Sequence, residues 1–327
     1  MEKIVVLGNG SDWCDISLTD LHHQENCLIL NDDLPCSTKS ILGRLAWIHY
    51  SRKINKIIKL PLKNMWFPYF AKYIAAKCDD KLYIIIYDRH RLANNEAFLV
   101  YIKKRYTNVK LIYVFTNIVS ISGAKENKFI EKLNDYYDVV YAFDPSDVPR
   151  YQFKYSPLIY SRYDVCKEKN DGSIFYVGRA KDRYGFLMDV YAKLVKMHVD
   201  RKFFIFGVDP SEQKFQHEIT YNTLIPYKTV LEYIQQSGCL LDIIQGESEG
   251  FTIKVCEAIF YNKKLITTNK NIKNMDFYDK RYIRVIESAD DIDETFLNTN
   301  LEVQYSESGR TYFSAESFLD RMKNDVG

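Results

Sequence analysis

The sequence predicts an α/β protein of two doubly wound domains in tandem, each with a mainly parallel sheet between helices. Short apolar runs of strand length alternate with amphipathic stretches along the chain, which is the pattern of such sheets. This alternation breaks once, in a polar and turn-rich stretch near 150–172, and then restarts. With 327 residues, 46% of them hydrophobic and 27% charged, the chain is long enough to bury two cores.

The first half of the chain contains five strand-like apolar runs. They are Ile4–Leu7, Cys27–Leu30, Leu82–Tyr87, Leu111–Phe115 and Val139–Phe143. Helices are predicted at Asn94–Arg105 and Lys125–Tyr137. The turn-forming run Asp144–Pro149 and the polar run 167–172 then indicate a boundary, which divides the chain into domains 1–160 and 161–327.

The second half repeats the pattern with five further strands. They are Ile174–Val177, Phe203–Phe206, Leu240–Ile244, Leu265–Thr268 and Tyr282–Ile286. Helices are predicted at Tyr184–His198, Val230–Gln236 and Thr252–Tyr261, with a last one at Ala315–Lys323. In doubly wound sheets ligands bind beyond the carboxyl ends of the strands, so we expect the two sheets to share a cleft.

Composition limits the compartment and the class of protein. The seven cysteines form no close pair and no metal-ligand spacing, which is typical of reduced thiols. The first residues lead directly into a strand pattern, and no apolar run approaches the length of a membrane span. We therefore expect a cytoplasmic protein that is not integral to a membrane.

The most informative segment is 245–258, which follows an apolar strand, passes a glycine-containing turn and enters a helix. Such a helix start offers backbone N–H groups to a phosphate, here at Gly250, Phe251 and Thr252. Glu249 in the turn is a candidate for binding sugar hydroxyls, and Glu257 within the helix for binding both ribose hydroxyls. The alternative is two surface glutamates that flank a helix start.

This segment resembles the GT-B-fold glycosyltransferases, whose signature is two glutamates separated by seven residues. Glu249-Gly-Phe and Glu257-Ala match that signature, while Asn262 stands where many members have glycine. The resemblance covers roughly 174–290, and the region 242–268 is similar to transferases of bacterial lipopolysaccharide and capsule synthesis. It implies Rossmann-like domains, with the acceptor in the first and the nucleotide-sugar donor in the second. It also implies a C-terminal helix that packs back on the first domain, and neither metal nor other cofactor.

A basic turn follows the first strand of the second domain. The resemblance implies that Gly178 and Arg179 contact the donor diphosphate, whose charge grows as the glycosidic bond breaks. Tyr184 stands at the family's lysine position, so Lys181 or Arg183 is expected to supply the second cation. The alternative is a solvated basic turn. Lys254 has two open interpretations, since it can pair with Glu257 three residues on or reach the diphosphate.

Polar residues follow three predicted strands of the first domain. Asp88 and His90 are candidate general bases for an inverting reaction, and Glu249 is the third catalytic candidate. The alternative for the first two is a helix-capping aspartate and a surface histidine. The predicted acceptor-side residues are Gly8, Gly10, Asp12 and Asn117.

Residues 39–77 contain lysines, arginines and aromatic residues but no acidic residue. Basic and aromatic side chains together suit the headgroup layer of an anionic membrane, which favours peripheral contact at its cytoplasmic face. The alternative is a pair of amphipathic helices with solvated lysines. No nucleic-acid motif accompanies the segment, so no nucleic-acid partner is expected.

The leading hypothesis is a glycosyltransferase that adds a sugar to a lipid-linked glycan in bacterial surface polysaccharide synthesis. Two other classes remain open: a nucleotide-sugar epimerase of the same fold, and a non-catalytic module that binds membrane or nucleic acid. A dehydrogenase is disfavoured because the glycine fingerprint for dinucleotides is missing. The residues do not distinguish retention from inversion at the anomeric carbon.

Overall fold

The computed structural model describes residues 1–32, 34–74, 77, 80–119, 129–166, 170–246, 248–298 and 301–327, without the side chain of Arg52. The chain divides into two compact units. The first contains Met1–Ser156 together with Phe318–Gly327, and the second contains Pro157–Ser317.

The first unit is built on a six-stranded parallel sheet. Its strands are β1 (Glu2–Leu7), β2 (Cys27–Leu30), β3 (Lys81–Tyr87), β4 (Val109–Val114), β5 (Val139–Ala142) and β6 (Lys154–Tyr155). Their order across the sheet is β2-β1-β3-β4-β5-β6. From Leu82 to Tyr87, strand β3 is buried at every position, because helices cover both faces of a parallel sheet and its central strands become continuously apolar.

Short helices surround this sheet. They are α1 (Asp12–Ser17), α2 (Thr19–His22), α3 (Ile41–His49), α4 (Arg52–Ile57), α5 (Phe67–Ile74), α6 (Glu96–Arg105), α7 (Leu133–Tyr136) and α8 (Asp147–Tyr151). The start of α6 follows from the sequence, since the Asn95 side chain accepts a hydrogen bond from the Phe98 amide. Of the helix predicted at 125–137, residues 125–128 lie outside the described residues. The rest forms a 3-10 turn at Ile130–Lys132 and then α7.

The second unit carries its own six-stranded parallel sheet. Its strands are β7 (Ile174–Arg179), β8 (Arg201–Phe206), β9 (Thr220–Tyr221), β10 (Cys239–Asp242), β11 (Lys264–Thr267) and β12 (Ile283–Val285). The order is β12-β11-β10-β7-β8-β9. Its helices are α9 (Tyr184–Lys196), α10 (Tyr227–Gln236), α11 (Ile253–Phe260), α12 (Glu294–Asn298) and α13 (Glu307–Phe313).

Each sheet has one switch point, where the direction of strand succession reverses. In the first unit it lies between β1 and β3, and in the second between β7 and β10. Open α/β sheets bind ligands at this position because the loops leaving the two strands turn to opposite faces and open a crevice. The predicted class of two doubly wound α/β domains is confirmed, and the topology indicates where a ligand site is expected in each unit.

The chain ends in helix α14 (Ala315–Val326), whose residues from Phe318 onward belong to the first unit. The Phe318 ring packs edge-on against Tyr141 of β5, with 5.5 Å between ring centroids. Asp325 accepts a hydrogen bond of 2.6 Å from the Tyr141 hydroxyl and pairs with Lys154 of β6. These contacts attach the last three turns of the chain to the edge of the first sheet.

Across the part of the chain that the structure describes, we find no helix that combines the length and the apolar character needed to cross a bilayer.

Candidate functional site

Both predicted donor motifs lie at the switch point of the second unit. The Gly178-Arg179 motif ends β7, and the segment 243–252 leaves the neighbouring strand β10 and leads into α11. Because β7 and β10 are parallel partners, their carboxyl ends lie side by side. The sheet therefore brings together two loops that are more than sixty residues apart in the sequence.

Asp242, the last residue of β10, holds the start of helix α11. Its Oδ1 accepts a hydrogen bond of 2.8 Å from Thr252, the N-cap residue, and its Oδ2 accepts one of 2.8 Å from Thr267 at the end of β11. Burial raises the pKa of this carboxyl, and the two hydroxyls and the nearby charges of Arg183 and Lys254 oppose that shift. One buried carboxyl thus joins two strand ends to the helix N-terminus.

A second set of contacts fixes the turn that carries Glu249. The buried side-chain amide of Asn269 donates to the backbone carbonyls of Glu249 and Gly250, at 3.3 and 3.0 Å. Thr268 accepts a hydrogen bond of 3.0 Å from the Ile244 amide. The turn is held from β11 through its backbone, which leaves the Glu249 side chain exposed at the surface of the unit.

The predicted cations of the basic turn have different surroundings. Arg179 is exposed, and its guanidinium lies over the Phe206 ring, 4.8 Å from the centroid. Arg183 donates to the backbone carbonyls of Arg179 and Ile243, so it connects the ends of β7 and β10. Lys181, in the left-handed region with φ 47°, donates to Gln245 of the other loop. Arg183 thus binds backbone carbonyls, whereas Arg179 and Lys181 are both exposed to a ligand.

Glu257 differs from its predicted environment. Its side chain is 0% exposed, with Oε2 2.5 Å from the Lys254 ammonium and Oε1 accepting a 2.9 Å hydrogen bond from Tyr227. The Tyr227 hydroxyl also lies 3.1 Å from that of Tyr160. A buried carboxylate requires such partners, since leaving it uncompensated costs several kcal/mol, as a rough figure. In this arrangement the Glu257 carboxylate is not open to a ribose, and Lys254 adopts the first of its two expected roles by pairing with Glu257.

Two residues of the motif region have structural roles: Phe251 packs in the core of the unit, and Asn262 ends helix α11. Phe251 is buried, and its ring packs edge-on against Phe277 and Phe313. Asn262 has φ 50° directly after helix α11, the left-handed conformation that ends many helices. Its Oδ1 accepts a hydrogen bond of 2.7 Å from Arg310. Asparagine tolerates this conformation better than other non-glycine residues, so it suits this position.

At the switch point of the first unit, the loop after β1 packs closely against the end of β2. A side chain at Gly8 would collide with the Asn31 side chain and lie 3.1 Å from its Cα. The same Asn31 accepts from the Gly10 amide at 3.2 Å and donates to the Ser11 carbonyl at 2.8 Å. Gly10 has φ 76°, and the exposed Asp12 follows at the start of α1. The glycines thus permit a close approach of backbone.

Asp88 directly follows β3, on the other side of this switch point. Its Oδ1 accepts a hydrogen bond of 2.9 Å from Thr116, while its buried Oδ2 has no hydrogen-bond partner among the described residues. Burial raises the pKa of Asp88, and Thr116 and Arg89 oppose that shift. Asn117, beside Thr116, is half-buried after β4. A desolvated carboxyl with one unsatisfied oxygen has the properties of a proton acceptor.

His90 is 3% exposed, so the alternative of a surface histidine is wrong. Its Nδ1 accepts a hydrogen bond of 3.3 Å from the Leu92 amide, which leaves Nε2 as the protonated nitrogen of the neutral ring. Asp88 and His90 line a cavity of about 550 Å³ within the first unit. Its other lining residues are Tyr50, Asn55, Lys63, Arg91, Asn94, Asn95, Glu96 and Ala97. The cavity is mostly polar, as a site for a hydroxylated ligand requires.

Sequence reasoning missed Asp242, Asn269 and Thr116. A charged residue at the end of the apolar run 239–244 was the available signal for Asp242, but the strand was predicted to continue to Ile244. Asn269 and Thr116 act through contacts with distant segments, which no local pattern indicates. Within the described ranges, no group of three His, Cys, Asp or Glu residues is arranged to hold a metal ion.

No protein-family model matches this sequence, and no curated protein sequence matches it either. Among solved structures it is similar to an α-glucosyltransferase in complex with UDP and a 13-mer DNA, with 12% identity, a TM-score of 0.56, and 100% of this chain and 99% of that one covered. It is likewise similar to an α,α-trehalose 6-phosphate synthase from Burkholderia multivorans, with 12% identity, a TM-score of 0.54 and coverage of 100% and 98%.

A further similarity is to the accessory secretory proteins 1, 2 and 3 of Streptococcus pneumoniae, with 8% identity and a TM-score of 0.45. There the match covers 80% of this chain but only 56% of the other, so the chain spans little more than half of that protein. The two full-length similarities show the fold: this protein has the two-domain α/β fold of the GT-B class.

Proposed function

We propose that the protein is a glycosyltransferase that takes a sugar from a nucleotide-sugar donor bound by the second unit. The observation that carries this proposal is the meeting of the Gly178-Arg179 turn and the Glu249-Gly250-Phe251 turn at one switch point. Switch points are the usual ligand positions of open α/β sheets. The exposed Arg179 guanidinium and the start of helix α11 suit a diphosphate, and the Glu249 carboxylate suits sugar hydroxyls.

In the proposed reaction the nucleoside diphosphate leaves as the anomeric carbon is attacked by an acceptor hydroxyl. The leaving group gains negative charge, which Arg179 and the α11 N-terminus stabilise without need of a metal ion. Lys181 adds a positive charge near the same loop, and Gln245 positions it. If the configuration inverts, the acceptor proton goes to the Asp88 carboxylate in the polar cavity of the first unit, where His90, whose Nε2 already carries a proton, is a hydrogen-bond donor.

We also propose that donor binding exchanges the partner of Lys254. Its ammonium leaves Glu257 for the diphosphate, and the freed carboxylate binds the ribose hydroxyls. The motif spacing supports these final contacts, while the buried Lys254–Glu257 pair is the starting state. If the exchange occurs, Lys254→Met and Glu257→Gln each weaken nucleotide affinity. If Glu257 is purely structural, both variants lower the melting temperature and leave the affinity of the remaining folded protein unchanged.

The acceptor that we propose is a lipid-linked glycan of a bacterial surface polysaccharide, and the place of action is the cytoplasmic face of the membrane. The resemblance of region 242–268 to transferases of lipopolysaccharide and capsule synthesis supports this choice. The polar lining of the first-unit cavity supports a hydroxyl-rich acceptor.

The direct test is a thermal-shift screen of the full chain with UDP, GDP, CMP and dTDP. A ligand at a hundred times its Kd stabilises the folded state by about 2.7 kcal/mol. We expect one nucleotide to raise the melting temperature of the wild type and the shift to be lost in Arg179→Ala. The matched control is Arg105→Ala, an exposed arginine stacked on the Tyr106 ring. No shift with any nucleotide, or equal shifts in both variants, contradicts the proposal.

A further inference from the structure

Helix α3 (Ile41–His49) buries its small residues and exposes its large apolar residues to solvent. Gly43 and Ala46 are buried, and a Cβ on Gly43 would collide with the Ser37 carbonyl. The large apolar residues point outward instead: Ile41 is 78% exposed, and Leu45 is 49% exposed. A surface helix of a globular protein normally turns its apolar stripe to the core. The small residues of α3 allow close packing on the protein and leave the large ones for another partner.

Exposed large apolar residues continue beyond helix α3, as far as Met65. Ten of the fourteen large hydrophobic residues that are exposed in the described part of the chain lie between 41 and 65. We name them the apolar patch: Ile41, Leu42, Leu45, Trp47, Ile48, Ile54, Ile57, Ile58, Leu62 and Met65. Single exposed apolar residues are normal, but a concentration of this kind marks a surface that another molecule or phase covers.

The charges around the apolar patch select the partner. Residues 34–78 contain nine lysines and arginines and no acidic residue. Lys53, Lys56 and Lys59 are exposed among the apolar residues of this stretch, and Lys39 is exposed two residues before Ile41. A second copy of this chain would oppose cations to cations on the same patch, which is unfavourable. Nucleic acid would satisfy the cations through its phosphates but would leave the isoleucines and leucines in water.

We propose that the apolar patch inserts into the interface of an anionic membrane, with α3 and α4 lying in the plane of the bilayer. Interfacial helices of this kind bury apolar side chains at the boundary of headgroups and acyl chains, while flanking lysines bind anionic lipid headgroups. A membrane of this kind would bury the apolar side chains and also pair the lysines with negative charges. This docking does not require the proposed transferase activity.

The patch is connected to the polar cavity of the first unit. Arg91, which lines the cavity, donates to the Tyr50 carbonyl at 2.7 Å and lies over the Trp47 ring at 5.6 Å. Lys63 lines the same cavity and stands between Leu62 and Met65 of the patch in the sequence. Docking would therefore hold the cavity close to the headgroup layer. On the proposed function, it would bring a lipid-linked acceptor to Asp88 and His90.

The test is cosedimentation of the full chain with vesicles of phosphatidylcholine alone and of phosphatidylcholine with roughly a third phosphatidylglycerol. We expect binding to the anionic vesicles that weakens at high salt. The variant Leu45→Ser/Ile48→Ser should reduce the partition coefficient at least about tenfold. The matched control Val100→Ser/Leu224→Ser removes two exposed apolar residues elsewhere and should bind like the wild type.

Two results would overturn the docking proposal. One is equal sedimentation of the Leu45→Ser/Ile48→Ser variant and the wild type with anionic vesicles. The other is a wild type that does not bind the anionic vesicles; if it is also dimeric by light scattering while the same variant is monomeric, a second copy of the chain covers the patch. Because the substituted side chains are exposed, their replacement should leave the melting temperature unchanged. Nucleotide binding by the second unit is measured separately, so failure of docking and failure of the proposed function are distinguishable.

Discussion

At the switch point of each sheet, an aspartate at a strand end has its carboxyl pKa raised by burial. Asp242 is buried and Asp88 is half-buried, and the two carboxyls differ in the hydrogen bonds that they accept. Asp242 accepts a threonine hydroxyl at each carboxylate oxygen, both at 2.8 Å. Asp88 accepts one, from Thr116, and its other oxygen has no hydrogen-bond partner among the described residues. The Asp242 carboxyl therefore holds the donor loop in place, whereas the Asp88 carboxyl is available as a proton acceptor. The sequence alone does not distinguish these roles, because both residues are aspartates that follow apolar runs.

The largest expected effect follows from this difference. Asp242→Ala leaves the hydroxyls of the buried Thr267 and the half-buried Thr252 without their acceptor and removes the anchor of the α11 start. We expect the free energy of unfolding to fall by about 3 kcal/mol, since each unsatisfied buried group costs about 1–3 kcal/mol. Urea denaturation followed by circular dichroism measures it. Asp189→Ala, an exposed aspartate on α9, is the control and should cost nothing. A stable Asp242→Ala protein would mean that other contacts hold the loop.

The glycines of the two switch points give a second, smaller contrast. A Cβ at Gly8 meets the Asn31 backbone, which cannot move freely, so Gly8→Ala should destabilise by about 1–3 kcal/mol. A Cβ at Gly178 lies 2.8 Å from the Tyr176 hydroxyl, the end of a side chain that can shift, so Gly178→Ala should cost less. At Gly185, in α9, nothing lies within 4 Å. Gly185→Ala should stabilise by about 0.5–1 kcal/mol.

Thermal melts of these three variants check that order. If Gly178→Ala proves the most destabilising, the loop after β7 is the more tightly packed of the two, and the interpretation of the first switch point as the closer backbone approach is wrong.

The pH dependence of the free energy of unfolding also distinguishes Asp88 from Asp242. The folded state keeps the Asp88 proton over a pH window in which the unfolded chain has lost it. The free energy of unfolding therefore falls as the pH rises through that window. We expect Asp88→Asn to match the wild type below the unfolded pKa and to melt at a higher temperature above the window. Asp242→Asn should instead melt lower at neutral pH, because one threonine hydroxyl loses its acceptor.

Melting temperatures measured across the acidic and neutral range for both variants test this pair. A destabilised Asp88→Asn protein at neutral pH would indicate that the second oxygen of Asp88 has a stabilising partner. Its assignment as a proton acceptor would then lose its basis.

Local patterns predicted most of the fold. The buried strands are continuous apolar runs, and the division after Ser156 falls within the polar break near 150–172, a few residues before the predicted boundary at 160. The two-residue edge strands β6 and β9 were missed, because so short a strand has no periodicity of its own. The same limit applies to the site: the two motif loops were recognisable, whereas their attachment through Asp242 and Asn269 depends on neighbours ten or more residues away. The full burial of Glu257 also depends on distant residues, Tyr227 and Tyr160.

The most direct test of the central claim is amide hydrogen exchange of the full chain with and without the nucleotide selected by the thermal screen. We predict slower exchange in two segments, 178–183 and 245–254, which lie at the carboxyl ends of the adjacent strands β7 and β10. Exchange in the last two turns of helix α9 should change little by comparison. Protection confined to other segments, or the same exchange at both loops with and without nucleotide, would contradict a donor site at this switch point.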